Sequence, residues 1–513
     1  MKTTYYSDVD MTISTNMTFD SKRYAKNFEI ALAEFAAIEK GEIVNKTSVA
    51  SESENRPVDH YNHRLTQELV PGKSLEHSLK LWEKVNTFVS SIRNDYKHII
   101  FNGIGGSYLG PYMLIQAMLG DDYNLSLQKR GLPSLHFLAN TDSDSFSTLF
   151  DLLDVKKTLM VTISKSGSTA ETATNTQCYL NLLTKASLSP SAHCIAITIP
   201  GSNLHKLAAS WLQTFEMCEP TGGRTSICSA VAMVPCAFAG IKFDEFLKGM
   251  AQMDCETRKA EGNPALEIAA MIDSLIKKFA APKNMIILGY SESLKQYAHY
   301  CQQLYMESLG KEYCKDGRIQ PSGLSVYGGI GTGEQHAFMQ QIQKGVADSF
   351  VKFIQFQERK HEDYEDSKAG SMGRQLLAFL KGTELALSQN GREFMTITVK
   401  KCSEFCIGQL IALEERIVST LGAFWGINAY DQPGVQDGKK AATRVNELSM
   451  KLDKELKACH GTSAEILAKM QMKEDAWLVE GILSDMVYNS KSYKTTLKGS
   501  RTFQNQKFVF KFE

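Results

Sequence analysis

Residues 161–172 read VTISKSGSTAET. An apolar, β-branched run ends on Ser164, Lys165, Ser166, Gly167, Ser168 and Thr169, and a helix-forming pattern follows at once. A strand turning into a helix needs one cap and at most one glycine. Four hydroxyls, an ammonium and a glycine exceed that need. Ser168 with Glu171 three residues on has the spacing of a capping box. The start of a helix presents unpaired N–H groups and the positive end of its dipole, so a phosphate is favoured there. The stretch therefore reads as strand, anion cradle and helix, which is the repeating unit of an open α/β sheet.

Working outward, the same rhythm recurs. HIIFNGIGG (98–106), LHFLAN (135–140) and HCIAITIPG (193–201) are short apolar runs separated by helical patterns. That alternation predicts a parallel sheet with helices on both faces. After a helical stretch near 242–280 the theme restarts with NMIILGYSES (284–293), FVKFIQFQ (350–357) and FMTITVKK (394–401). Laying 97–107 over 283–293 aligns Gly103 with Gly289 and Ser107 with Ser293, which supports two similar α/β units. The predicted organisation is an N-terminal helical arm over 1–75, a first α/β domain over 76–245, a second over 246–445, and a C-terminal helical arm over 446–513.

Composition narrows the partners. Lys plus Arg and Asp plus Glu number 57 each in 513 residues, so no global field draws the chain to nucleic acid or to a membrane surface. No apolar run is long enough to span a bilayer, and MKTTYYSDVDMTIS lacks the pattern of a signal peptide. The eleven cysteines are scattered, and Cys402 with Cys406 has no second pair to complete a zinc site. The expectation is a chain of the reduced cytoplasmic compartment.

The loops then supply candidates. GIGGSYLG (103–110) offers Gly103, Gly105 and Gly106 for close backbone approach, with Ser107 at a helix start. Taken alone, either this loop or 164–172 also reads as an ordinary strand-to-helix turn; together they favour a phosphate cradle. The dinucleotide fingerprint requires glycine where Tyr108 stands, and no Walker lysine follows, so a small phosphorylated metabolite is the ligand class. In the second unit GYSES carries Glu292 instead of paired glycines and should repel phosphate. GGRTSICSA (222–230) places Arg224 behind two glycines, where it can enter a cleft or serve as a surface ion pair.

YCQQLYMESLGK (300–311) puts Gln303 and Glu307 four apart on one helical face among apolar neighbours. A partly desolvated carboxylate there suits a general base, and an ordinary solvated helix glutamate fits the same pattern. In GIGTGEQHAFMQQIQKG (329–345), Thr332 and Gln335 have capping-box spacing, which would set His336 in the first turn and favour a neutral ring. YDQPGVQDGKKAA (430–442) separates Gln432 from Lys439 by seven, so one helical face carries both if the helix reaches back to Gln432.

GIGGSYLGP, SKSGSTAET, GGRTSICSA, MESLGK, GEQHAF and YDQPGVQDGKK, in this order and at these separations, closely resemble the glucose-6-phosphate isomerase family over roughly residues 95–445. The resemblance implies two sugar-isomerase (SIS) domains, each a five-stranded parallel sheet flanked by helices. It implies reversible interconversion of glucose 6-phosphate and fructose 6-phosphate without a cofactor, in a homodimer. By position, Ser107, Ser164, Lys165, Ser166 and Thr169 take the substrate phosphate, and Gly106, Gln303 and Gln432 contact substrate. Glu307 takes the place of the base, His336 and Lys439 those of the ring-opening pair, and Arg224 that beside the enediolate. The family's histidine enters from the other subunit, so the resemblance places His336 in the neighbouring site. Ser166, Gly167 and Ser168 stand where the animal form has Thr-Phe-Thr, and Pro433 stands where it has Trp, both like bacterial variants. Two rivals differ in chemistry. A non-catalytic sugar-phosphate sensor need not keep Glu307, His336 and Lys439 together, and an isomerase of another ketose–aldose pair would keep similar loops.

Overall fold

The buried runs of the first half become one sheet. In the computed structural model, which describes residues 1–279, 284–456, 459–489, 499–504 and 507–512, five strands lie parallel in the order Ser134–Leu138, His98–Asn102, Thr158–Ile163, Cys194–Thr198, Gln213–Glu216. Thr158–Ile163 is buried at every residue, which is why it reads as a continuous apolar run rather than an alternating one. Successive side chains still point to opposite faces. Ile99, Phe101, Leu159 and Val161 pack in one cluster with the Leu109–Leu119 helix, while Ile100 and Met160 pack in another with Tyr179 and Leu183 of Ala170–Lys185.

The order fixes where a ligand can sit. From His98–Asn102 the chain crosses to an outer strand on one side, and from Thr158–Ile163 it crosses to Cys194–Thr198 on the other. The two following helices therefore leave on opposite faces and a crevice opens between the two strand ends. Residues 103–107 and 164–169 line that switch point.

The second half also forms a parallel sheet flanked by helices, as expected, but its composition differs. It has six strands in the order Lys2–Tyr6, Met11–Thr15, Phe394–Lys401, Ser349–Glu358, Asn284–Gly289, Ser325–Ile330. The last four are parallel, and Met11–Thr15 joins antiparallel with Ile13 opposite Ile397. The N-terminal arm is thus a hairpin before it is a helix. Alternation makes it so: Met11, Ile13 and Thr15 are buried, and the residues between them are not. The helix Ser21–Glu39 follows, capped by the Asp20 carboxylate, which accepts from the N–H groups of Lys22 and Arg23.

Helices Phe243–Glu256 and Glu404–Trp425 pack together behind the sheets. Between them lie buried charges. Arg64 pairs with Asp254 at 2.6 Å and Glu415 at 2.5 Å, and Arg416 pairs with Asp254 at 2.9 Å and Glu39 at 2.7 Å. Lys352 and Glu414, both fully buried, form a separate pair. The chain divides into two compact units, Met1–Asp431 and Gln432–Glu513, so both sheets with their helices belong to the first. The second unit is not purely helical. Helices Pro433–Glu455, Ser463–Lys469 and Ala476–Asn489 accompany a three-stranded antiparallel sheet that includes Lys507–Phe512, with Leu452, Val479, Leu483 and Phe510 in its core. Among the described residues no helix is long and apolar enough to cross a membrane.

Candidate active site

The glycine loop closes in a short turn, Gly105–Ser107, with Gly105 at φ +59°, a conformation that favours glycine. Gly106 faces the second glycine pair so closely that a Cβ on it would lie 1.9 Å from the Gly223 carbonyl oxygen. Ser226 spans the two turns, its hydroxyl 2.7 Å from the Gly223 carbonyl and 3.4 Å from that of Gly106.

The serine loop is held by its own hydroxyls. Ser164 Oγ accepts the Gly167 N–H at 3.1 Å and lies 3.5 Å from Thr169 Oγ1, while Ser166 and Ser168 hydroxyls pair at 2.7 Å. Gly167 sits at φ +69°, and a Cβ there would meet the backbone nitrogen of Leu204 at 2.2 Å. The capping box expected from Ser168 and Glu171 does not form. The helix begins at Ala170 with Thr169 as N-cap, and no side chain accepts from its first turn. Its first N–H groups are thus without a side-chain cap, an arrangement open to an anion. Lys165 donates to the Thr221 carbonyl at 3.1 Å, and burial, with help from Arg56, brings its ammonium down to about 8.

Arg224 is 3% exposed and held on several sides. Its Nε donates to Ser308 Oγ at 2.7 Å, and Nη2 donates to the carbonyls of Ala429 at 2.7 Å and Asp431 at 3.0 Å. Burial lowers its affinity for the proton, and Glu307 and Asp431 oppose that. The helix Tyr297–Leu309 brings Gln303 and Glu307 to one face: Gln303 Nε2 donates to Glu307 Oε1 at 3.2 Å, and Arg224 Nη1 lies 3.5 Å from Glu307 Oε2. The Glu307 side chain keeps 28% exposure, so the carboxylate is partly desolvated and still reachable. A Cβ on Gly105 would lie 3.0 Å from Gln303 Nε2, so the glycine loop adjoins this pair. The glycine loop, a buried guanidinium and a partly buried carboxylate thus converge, and the serine loop reaches the segment before Arg224 through Lys165 and the Thr221 carbonyl.

His336 is not in a first turn: the helix is Gly331–Gln335, begins at Ile330 without a side-chain cap, and ends with His336 as C-cap. The Thr332–Gln335 capping box is absent, and the argument from the helix's positive end falls with it. The ring is exposed and, among the described residues, has no hydrogen bond to Glu307 or Arg224. Gln432 and Lys439 stand in the second unit. The helix starts at Pro433 and leaves Gln432 as its non-helical N-cap at ψ 64°, so it does not reach back to give both residues one face; Lys439 is exposed.

Ser308, Lys311 and Asp431, which hold Arg224 and Glu307 in place, went unnoticed in the sequence, although all three lie inside the quoted motifs. One group among the described residues, Asp59, His63 and Cys218, brings possible metal-ligand atoms within 4.8 Å of one another. Asp59 already accepts from Thr221 and Lys73 at 2.8 Å each, which leaves it little to offer an ion.

A family model described as phosphoglucose isomerase matches residues 13–467. A glucose-6-phosphate isomerase of Gloeothece citriformis is 34% identical, over 90% of this chain and 87% of its own. One from Prochlorococcus marinus is 36% identical over 85% of this chain and 79% of its own. The crystal structure of a glucose-6-phosphate isomerase from Chlamydia trachomatis superposes with a TM-score of 0.76 at 27% identity, covering 85% of this chain and 88% of that one. The chain belongs to the phosphoglucose isomerase family and is an aldose–ketose isomerase acting on glucose 6-phosphate.

Proposed function

We propose that the chain interconverts glucose 6-phosphate and fructose 6-phosphate through a cis-enediolate, with Glu307 as the base that moves one proton between C1 and C2. The observation that carries this is the placement of Glu307 within 3.5 Å of the Arg224 guanidinium, beside loops at a topological switch point. Moving the carbonyl requires a proton to leave one carbon and return to its neighbour on the same face. A single carboxylate performs both transfers, and a fixed cation stabilises the oxyanion between them. Ser107, Ser164, Lys165, Ser166 and Thr169, on the loops of residues 103–107 and 164–169, bind the phosphate; Gly106 lets the backbone approach. Binding energy from that remote group then orients the reacting carbons.

By the family resemblance His336 and Lys439 open the sugar ring and Gln303 and Gln432 contact the hydroxyls. The exposed position of His336 favours its use by the neighbouring subunit of a homodimer. A cytoplasmic location accords with the sugar phosphates that it uses. Glu307→Gln tests the assignment. It keeps the size and hydrogen bonding of the side chain but cannot accept the proton, so turnover should fall by about 10²–10⁴. Exchange of the substrate's C2 proton with deuterium oxide should vanish with it; retained exchange would move the base elsewhere.

A further inference from the structure

The motif MESLGK contains a lysine to which the reaction as assigned gives no role. The helix carrying Glu307 ends at Leu309, so the Glu307 carbonyl is among the last four, which lack a helical partner. Lys311 supplies one. Its ammonium donates to the Glu307 carbonyl at 2.6 Å and to the Asp431 carbonyl at 2.7 Å, and lies 3.2 Å from the Asp431 carboxylate. The side chain is 6% exposed, so these contacts are made out of water, where an ammonium needs every acceptor it can find. The Asp431 carbonyl also accepts Arg224 Nη2 at 3.0 Å, and Arg224 Nε is anchored on Ser308, the residue after Glu307.

We propose that Lys311 is a positioning residue for the isomerisation: its ammonium ties the last turn of the base-bearing helix to Asp431, and so fixes Glu307 and Arg224 in one frame. This rests on the reading of Glu307 as the base. Two cations share one carbonyl oxygen, so both are held against the same point of the Asp431 backbone. The carboxylate of Glu307 and the guanidinium of Arg224 are only 3.5 Å apart, and a displacement of about 1 Å in such a pair is felt as a large loss of rate. The charged groups that face Lys311 are Glu307 from the preceding helix, Arg224 from the Gly223–Cys228 turn and Asp431 from the segment after Glu404–Trp425. Burial and Arg224 draw the ammonium down to about 8, against the pull of Asp431 and Glu307.

The test compares Lys311→Met, Lys311→Arg and Glu307→Gln in the full chain, each with fructose 6-phosphate as substrate. Lys311→Met should lower kcat by about tenfold to a hundredfold while KM stays within about threefold, since the phosphate loops are untouched. Lys311→Arg, which keeps charge and donors, should recover at least part of kcat. A kcat for Lys311→Met within about twofold of the parent overturns the proposal, as does a proportional change in kcat and KM or an arginine variant no better than methionine. Turnover retained in Glu307→Gln strikes the base assignment instead; turnover lost there but normal in Lys311→Met strikes Lys311 alone. Should Lys311→Met not fold, kcat of the unaltered chain decides. It should decline as pH rises through about 8 and the ammonium is lost, and a kcat flat to about pH 9.5 overturns the proposal.

Discussion

Gly106→Ala adds a single methyl group where two turns meet, and its cost can be worked from the geometry. The new Cβ would lie 1.9 Å from the Gly223 carbonyl oxygen, 2.1 Å from its carbon and 2.8 Å from the Arg224 nitrogen, whereas ordinary contact begins at 3.4 Å. All three are backbone atoms, so no side chain can swing aside, and the turns must part by about 1.5 Å. Overpacking of this kind destabilises by about 1–3 kcal/mol. The catalytic loss should be larger, because Arg224 follows Gly223 directly and the separation is taken up at the guanidinium. A misplacement of about 1 Å costs on the order of 10²-fold, so kcat/KM should fall at least that far, about 2.7 kcal/mol of barrier. The assay couples glucose 6-phosphate formation to a dehydrogenase, with stability read by chemical denaturation. Gly223→Ala is the control for stability, since a Cβ there meets nothing within 4 Å. Gly106→Ala with parental kcat/KM and an unshifted denaturation midpoint would refute the claim that the turns touch backbone to backbone.

Other expectations follow from the same geometry. Lys165 is lowered by burial to about 8, so the free enzyme loses this charge as pH rises through that value, well before an exposed lysine would; bound phosphate restores it. The alkaline fall should therefore be steeper in kcat/KM than in kcat, and Lys165→Arg should remove that difference. If His336 serves the neighbouring site, inactive Glu307→Gln and His336→Ala chains refolded together should regain about a quarter of parental activity, because half the dimers carry one intact site of two; no recovery on mixing places His336 in its own subunit's site. Lys352→Met leaves the Glu414 carboxylate buried with, among the described residues, the hydroxyls of Tyr297 and Tyr305 at 2.7 and 2.6 Å as its remaining partners, and should destabilise by about 3–5 kcal/mol in urea unfolding.

What the sequence disclosed depended on how local its physical cause was. Four of the five strands of the first sheet were legible because a core strand buried on both faces must be largely apolar, as Thr158–Ile163 is, whereas Gln213–Glu216, with only Phe215 buried, was not. The Gln303–Glu307 pairing was legible because helical periodicity alone sets it. Both capping boxes were misread for the converse reason. Ser168 and Thr332 have the spacing, but the helices begin at Ala170 and Gly331, so their hydroxyls fall out of register. Placing His336 at the wrong end of its helix came from the same error. The N-terminal hairpin was missed because Met11–Thr15 mixes two apolar residues with three hydroxyls, and its partner strand lies some 380 residues away. Distance hid the scaffold of Arg224 too: Ser308 is 84 residues from it and Asp431 is 207.

That hairpin has a consequence for the life of the chain before it is an enzyme. Ile13 pairs with Ile397, so the outer edge of the second sheet is sealed by a segment made long before the strand that it seals. At about 5–20 residues per second the hairpin waits roughly 20–80 s on the ribosome for its partner, with Met11 and Ile13 unshielded. Closing so long a loop delays assembly of this sheet relative to the first, whose strands all fall between His98 and Glu216. Nascent chains arrested before residue 394 should therefore expose residues 2–15 to proteolysis while the first sheet is already protected, and protection of the hairpin should arrive only when Phe394–Lys401 leaves the exit tunnel.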